Sequence, residues 1–264
     1  MSVSVPSQAR HLDIGKVLTD GLGVLAQNFG PLFLLALLLQ GLPSAMTAWG
    51  QVIGSRHFIG GMFAAVGGLA SLVTVPMLNG ALIYGSMRGL EGRQASMDEC
   101  LKAGAQRWLP MLGLMIGSGF LIGLGLILLI VPGVLLALRW SVAAPVLVLE
   151  GRGIPEAMGR SADLTRNRRW AVFLLFLIYF GIEFVLQAIL AAVGLGYQTA
   201  STGFGLGFGV PFGGFAPRPA IVILLTPLIS VCASLVLSAI ATALYRELRG
   251  DEGGNPEVLG EVFA

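Results

Sequence analysis

The chain has 264 residues, of which 55% are hydrophobic and only 11% are charged, and its formal net charge is +2. Roughly a quarter of the residues in a soluble protein are charged, so this composition excludes an ordinary soluble domain. A mean hydropathy of +0.84 indicates a membrane protein, and the chain has no basic motif of the kind that binds nucleic acid.

Six apolar stretches are long enough to cross the hydrocarbon core of a bilayer, which takes about 20 helical residues. They run over 31–50, 62–87, 109–130, 132–149, 170–194 and 219–245. This pattern predicts an all-α fold, a polytopic membrane helix bundle with six transmembrane helices, as a single domain over 1–250. We expect the acidic residues 251–264 to be a disordered cytoplasmic tail.

Lysine and arginine are unevenly distributed between the two sides of this bundle. Of the 16 such residues, only Arg56 and Arg218 fall on one side, and Arg139 falls within a span. The others lie near the termini or in the connections on the opposite side. Because cytoplasmic loops are enriched in Lys and Arg, we expect both termini in the cytoplasm and the chain in a bacterial inner membrane. The N-terminus lacks the pattern of a cleavable signal, so the spans are expected to direct insertion.

Short motifs recur along the chain. Leu90-Glu91-Gly92-Arg93 follows the second span and recurs as Leu149-Glu150-Gly151-Arg152 after the fourth, and Tyr84 with Arg88-Gly89 recurs as Tyr245 with Arg249-Gly250. Polar or amphipathic segments precede the first, third and fifth spans, at 12–27, 96–106 and 155–167. We interpret the unit as a cytoplasmic amphipathic helix followed by two spans, repeated three times. Chance matching of short apolar sequences is the alternative.

Small residues at four-residue spacing predict close helix packing in two spans. The third span contains Gly113 with Gly117 and Gly119 with Gly123, and the sixth contains Ser230, Ser234, Ser238 and Thr242. Between the fifth and sixth spans, the Gly- and Phe-rich segment 197–219 is either a flexible linker or a hydrophobic lid at the outer interface. Its four phenylalanines favour the interpretation as a hydrophobic lid.

Polar residues inside spans are the candidates for function, because they are costly there. Arg139 and Glu183 are predicted to form an intramembrane pair, supported by a polar face of Tyr179 and Gln187 on the fifth helix and by Asn79. A structural ion pair is favoured over a substrate or proton pathway. Just before the fifth span, Arg160, Arg166, Arg168 and Arg169 with Trp170 predict contact with anionic lipid headgroups on the cytoplasmic side.

Catalytic and metal-binding motifs are missing from the sequence. The two histidines, His11 and His57, lie near opposite sides of the membrane, and Gly117-Ser118-Gly119 lacks the spacing of an esterase nucleophile elbow. We therefore expect no enzymatic activity, no cofactor and no metal site.

The fourth span and the segment after it carry a recognisable set of residues. Pro132-Gly133 opens the span, Arg139-Trp140-Ser141 lies within it and Pro145 lies near its end. Ser161-x-x-Leu164, Arg166, Asn167 and Trp170 follow. This set resembles the membrane domain that precedes some bacterial glycerophosphoryl diester phosphodiesterases, and its stand-alone uncharacterised membrane relatives. The resemblance implies a membrane domain and carries over no catalytic residue, and we expect no phosphodiesterase barrel after the sixth span.

These observations favour a non-enzymatic inner-membrane protein, a scaffold or accessory factor linked to lipid or envelope processes, with membrane lipids and an unknown membrane protein as partners. The alternative is a small-solute or lipid transporter with a polar site among the spans.

Overall fold

The computed structural model describes residues 13–53, 58–166, 168–192 and 220–252, and within these ranges the side chains of 51–52, 186–192, 220–226 and 251–252 are not described. The described part of the chain is helical. Its α-helices are α1 (Ile14–Gln27), α2 (Phe29–Ala36), α3 (Leu42–Ile53), α4 (Phe58–Leu90), α5 (Met97–Leu128), α6 (Ile130–Arg139), α7 (Ala143–Leu149), α8 (Ile154–Thr165), α9 (Arg169–Ala192) and α10 (Ala220–Glu252).

Five stretches of the described residues are long and apolar enough to cross a membrane. They are Phe29–Gly50, Phe58–Leu90, Met97–Leu128, Ile130–Leu149 and Pro227–Gly250. They correspond to five of the six predicted spans, which confirms a multi-pass membrane protein. The remaining predicted span, 170–194, coincides with the helix α9. The last side chains of α9 are not described, so the count of six spans stays a prediction. The segment 197–219 and the tail beyond Glu252 lie outside the described residues.

The first span is a continuous helix of varying pitch. Between α2 and α3, residues Leu37–Gly41 form a π-helical turn, and the N–H of Leu42 bonds to the carbonyl of Leu37. Pro43 lies two residues after this turn and has no N–H for the carbonyl of Leu39. A widened turn at this point lets the helix continue past the proline.

The helix α1 packs against α10 and α4. Asp13 caps its N-terminus by accepting a hydrogen bond from the backbone N–H of Lys16 at 3.1 Å. Val17, Gly21 and Val24 are buried along one face, against α10 and α4. Lys16 forms a 2.9 Å ion pair with Glu247 of α10, and this bond raises the pKa of Lys16. The segment 96–106 does not form a separate helix, because α5 runs unbroken from Met97 through Pro110.

The closest contacts between helices occur at glycines, although mostly not at the predicted ones. A Cβ on Gly104 would meet the carbonyl oxygen of Met77, and a Cβ on Gly80 would lie 3.2 Å from the Cα of Gly104. The tight turn between α5 and α6 similarly brings Gly125 against Gly133. By contrast, nothing lies within 4 Å of a Cβ on Gly117 or on Gly123, so the packing prediction for these two is wrong. The spacing of small residues does not reveal which face of a helix meets a neighbour.

The helix α10 joins the two hydrophobic clusters of the bundle. Its residues Val231 and Leu235 pack with α2, α4 and the start of α5, whereas Leu244, Tyr245 and Leu248 pack with α5 to α9. Ser238 and Thr242, on the predicted ridge of small residues, are 6% and 0% exposed, so this part of the ridge does face neighbouring helices.

The helix α5 has glycines in close contact with a neighbouring helix and glycines that face open space, and replacing one of each kind tests the packing. We expect Gly104→Ala to lower stability by about 1–3 kcal/mol, because the added methyl overpacks the contact between α4 and α5. Gly117→Ala on the same helix adds the methyl to open space and should be neutral or stabilising by about 0.5–1 kcal/mol, from helix propensity alone. Thermal unfolding of both variants in one detergent measures the difference, and equal effects would contradict the contact.

Candidate functional site

The fourth predicted span is broken in its middle. The sequence analysis predicted one continuous helix over 132–149 and did not anticipate the break. The helix α6 ends at Arg139, and α7 begins at Ala143 after a turn. Pro145 explains the break, since its ring clashes with the carbonyl four residues earlier, that of Ser141, and it offers no N–H in return. At the third position of α7, however, proline lies in a first turn, where it is tolerated.

Two hydroxyl groups from α8 satisfy the backbone groups that this break exposes. Ser161 Oγ donates to the Arg139 carbonyl at 2.9 Å and accepts from the Val142 N–H at 3.3 Å. Thr165 Oγ1 lies 3.4 Å from the same carbonyl. Both side chains are fully buried. We call Ser161, Thr165 and the backbone of 139–142 the hydroxyl clamp. Because unpaired backbone groups cost several kcal/mol each in lipid, the clamp is what makes a broken span tolerable.

The hydroxyl clamp gives α8 a different position from the one expected. The segment 155–167 was predicted as an amphipathic surface helix, whereas α8 packs against α6 and α7. Its residues Ala157, Ser161 and Leu164 are buried at helical spacing. Ile154 reaches so close to α5 that a Cβ on Gly113 would lie 2.7 Å from its Cδ1. The buried Ser161 and Thr165 explain why α8 packs there, since their partners are backbone groups of the fourth span.

The predicted intramembrane residues lie on three helices, α4, α6 and α9. Arg139 lies at the end of α6, beside the break in the fourth span, with an exposed side chain. The break removes Arg139 from the middle of a continuous helix. On α9, the Tyr179 hydroxyl donates to the Ala233 carbonyl of α10 at 3.2 Å, and Glu183 is half-buried. The pairing of Arg139 with Glu183 stays a prediction.

The two remaining polar candidates differ in what the structure describes. Asn79 Nδ2 donates to the Val75 carbonyl at 3.1 Å, on its own helix. The side chain of Gln187 lies outside the described residues.

The site predictions missed a polar cluster around the carboxylate of Glu150, just after the end of α7. Glu150 Oε1 accepts a 2.9 Å hydrogen bond from the Tyr245 hydroxyl of α10. Glu150 Oε2 lies 2.7 Å from Arg152 Nε, and Glu150 Oε1 lies 3.8 Å from Arg160 Nε. The Glu150 side chain is only 10% exposed. We call these four residues the Glu150 cluster, and it connects the turn between α7 and α8 to α10.

The repeated motifs were the available signal for the Glu150 cluster. Gly92 and Gly151 follow the two glutamates and have φ of +74° and +68°, the left-handed conformation that glycine adopts readily. Tyr84 accepts from Arg88 Nη2 at 2.8 Å, and Tyr245 accepts from Arg249 Nη1 at 3.4 Å. These motifs therefore share local geometry, while the threefold repeat as a whole stays a prediction.

The basic residues predicted to contact lipid lie around the start of α9. Arg166 is exposed, Arg168 and Arg169 are half-buried, and Arg160 belongs to the Glu150 cluster. The Trp170 ring is 84% exposed and packs edge-on against Phe173 at 6.0 Å. An outward tryptophan beside cations suits a membrane interface, and lipid binding there stays a prediction.

Metal-ligating side chains do not cluster in the part of the chain that the structure describes, where no three of His, Cys, Asp and Glu come together. His11 and His57 lie outside it.

The hydroxyl clamp and the Glu150 cluster both lie within a stretch of the chain that matches a known protein family. The family described as the membrane domain of glycerophosphoryl diester phosphodiesterase matches residues 112–256. This match covers more than half of the chain, and the chain belongs to that family. The suspected resemblance is thereby confirmed. Neither the curated proteins nor the solved structures contain a match.

Removal of the Ser161 hydroxyl tests the hydroxyl clamp. We expect Ser161→Ala to lower the free energy of unfolding by about 1–3 kcal/mol, because it leaves the buried Val142 N–H unpaired and weakens the bonding of the part-buried Arg139 carbonyl. Ser71→Ala is the matched control, since Ser71 Oγ bonds only to the Gly67 carbonyl of its own helix. That variant should change stability by less than about 0.5 kcal/mol. Unfolding curves in one detergent compare the two, and an unaltered Ser161→Ala protein would exclude the clamp.

The two copies of the Leu-Glu-Gly-Arg motif provide a second test. Glu150→Gln should lower stability by about 1–3 kcal/mol, because Arg152 and Arg160 lose their counter-charge next to a nearly buried group. Glu91→Gln changes the equivalent but exposed residue and should have no measurable effect. Thermal melts of the two variants decide the matter, and similar losses would mean that burial of Glu150 does not matter.

Proposed function

We propose that this integral membrane protein is a non-enzymatic scaffold or accessory factor of a bacterial inner membrane, linked to lipid or envelope processes. The observation that carries the proposal is that polar side chains bond to the backbone of the spans. Ser161 and Thr165 bond to the backbone of another helix, as does Tyr179. Polar groups used in this way hold helices in fixed positions, which is what a scaffold requires.

Lipid is the partner that the outer surface supports best. Large apolar side chains are exposed along the spans, including Leu69, Phe120 and Ile182. At the start of α9, Arg166, Arg168 and Arg169 stand beside the exposed Trp170. Juxtamembrane cations attract anionic lipid by about 1 kcal/mol each, so this surface is suited to anionic headgroups at the cytoplasmic face.

A transporter is the second candidate, and one observation favours it. The fourth span is broken at 140–142, and Arg139 at the break is exposed. Broken helices with polar groups near the middle of the membrane are typical of transporter binding sites. In this protein, however, the backbone groups of the break are bonded to α8, and this favours the scaffold.

The lipid surface can be tested by exchange of its charges. After reconstitution into vesicles of phosphatidylcholine with phosphatidylglycerol and re-extraction, we expect the wild-type protein to retain phosphatidylglycerol. Arg166→Gln should lower this retention by about fivefold, the equivalent of 1 kcal/mol, and the triple replacement of Arg166, Arg168 and Arg169 should lower it further. Arg93→Gln, at another exposed cytoplasmic-side cation, is the control and should retain the lipid.

The same vesicles separate the scaffold from a lipid transporter. With fluorescent phosphatidylglycerol in both leaflets, an impermeant quencher should reach the same fraction of the label with the protein as without it. A larger quenched fraction would favour the transporter. Equal retention by the wild type and the triple variant would remove the lipid surface from the proposal.

A further inference from the structure

A polar cleft lies where α1 meets the ends of α4 and α10. It has a volume of about 330 Å³, and the nine residues that line it include Asp20, Gly23, Leu90 and Arg246. Small-molecule sites have volumes of about 300 Å³ or more, so the cleft has room for a small polar ligand such as a lipid headgroup. We call it the α1 cleft.

The α1 cleft presents one positive and one negative side chain. Arg246 Nη1 donates to the Leu90 carbonyl at 2.7 Å, which anchors the guanidinium and leaves further N–H donors available. Asp20 is half-buried, and none of the four ion pairs between described residues contains it. The neighbouring Lys16 is already paired with Glu247 at 2.9 Å. Asp20 and Arg246 are therefore the charges that a ligand would meet.

These charges select a zwitterionic ligand. A simple anion would bind Arg246 but be repelled by Asp20, and a simple cation would meet the opposite problem. A phosphodiester accepts charge-assisted hydrogen bonds from a guanidinium, and an ammonium group donates them to a carboxylate. Quaternary ammonium groups bind in aromatic cages, and none of the residues that line the cleft is aromatic. A primary ammonium group therefore fits better than choline.

The position of the cleft indicates where such a ligand comes from. Leu90 is the last residue of the span Phe58–Leu90, and Arg246 lies four residues from the end of the span Pro227–Gly250. Lipid headgroups lie at the ends of spans, just outside the hydrocarbon core.

We propose that the α1 cleft binds a zwitterionic phosphodiester with a primary ammonium group, such as the headgroup of phosphatidylethanolamine. Arg246 holds the phosphate and Asp20 holds the ammonium. This inference goes beyond the proposed function, because the surface and the charge of the ligand both differ from those at the start of α9.

Gly23 offers a way to close the cleft without disturbing the fold. It lines the cleft, and nothing lies within 4 Å of a Cβ built on it. Gly23→Leu should therefore fill the cleft and keep the melting temperature of the wild type. Gly159→Leu is the matched control, because Gly159 also has open space around its Cβ and lies in the short helix α8, outside the cleft. Asp20→Asn provides a second variant that removes only the charge.

The experiment measures which lipid stays bound. Each protein is reconstituted in vesicles of equal phosphatidylethanolamine and phosphatidylcholine and re-extracted in mild detergent, and both retained lipids are quantified by mass spectrometry. The wild type and Gly159→Leu should be enriched in phosphatidylethanolamine. Gly23→Leu should lose the enrichment, and Asp20→Asn should reduce it by about tenfold, the loss of one charge-assisted bond.

Two outcomes would overturn the proposal: no enrichment in the wild-type protein, or an enrichment that persists in both Gly23→Leu and Asp20→Asn. Water-soluble glycerophosphoethanolamine, added during extraction, distinguishes the source of the ligand. Displacement of the lipid would assign the site to the headgroup alone, in free or lipid form, and retention would assign it to the intact lipid.

Discussion

The architecture depends on the bonding of backbone groups at the break in the fourth span. In lipid no water replaces a lost helical hydrogen bond, so a span can be interrupted only where protein groups take over. Ser161 does so by bonding to both the Arg139 carbonyl and the Val142 N–H. A buried hydroxyl of this kind is itself satisfied by the same bonds. The break and α8 therefore require each other, and Pro145 and Ser161 form one structural feature although they are distant in the sequence.

The Glu150 cluster complements the hydroxyl clamp at the other end of α7. The helix α7 has only seven residues, too few to be stable alone. It is held at its start by Ser161 and just after its end by the bond between Glu150 and Tyr245. Both anchors come from outside α7, one from α8 and one from α10. The short helix thus depends on tertiary contacts, and the removal of either anchor has consequences beyond one hydrogen bond.

The sequence predicted the parts of this fold that are set locally. Apolar length predicted five described spans, and the repeated Leu-Glu-Gly-Arg motif marked two turns with left-handed glycines at Gly92 and Gly151. The errors concern contacts between distant segments. Pro145 could have indicated the break, but nothing local to it points to Ser161. The four-residue spacing of small residues predicted close packing at Gly117 and Gly123, whereas Gly104 makes the close contact. The packing of the whole bundle decides which face of a helix meets a neighbour. The α1 cleft was equally hidden, since Asp20 and Arg246 line one cleft only in the folded chain.

The α1 cleft lies between the part of the chain that matches the family and the part that precedes it. Residues 112–256 contain the break, the clamp, the Glu150 cluster and α10. The part of the chain before residue 112 adds α1, α4 and the turn after α4, which together supply eight of the nine residues that line the α1 cleft, and α10 supplies Arg246. Lys16 and Glu247 join the same two parts by an ion pair. A surface ion pair contributes little to stability, so the position of α1 rests mainly on the burial of Val17 and Val24. The cleft therefore exists only as long as this apolar face keeps α1 against α10.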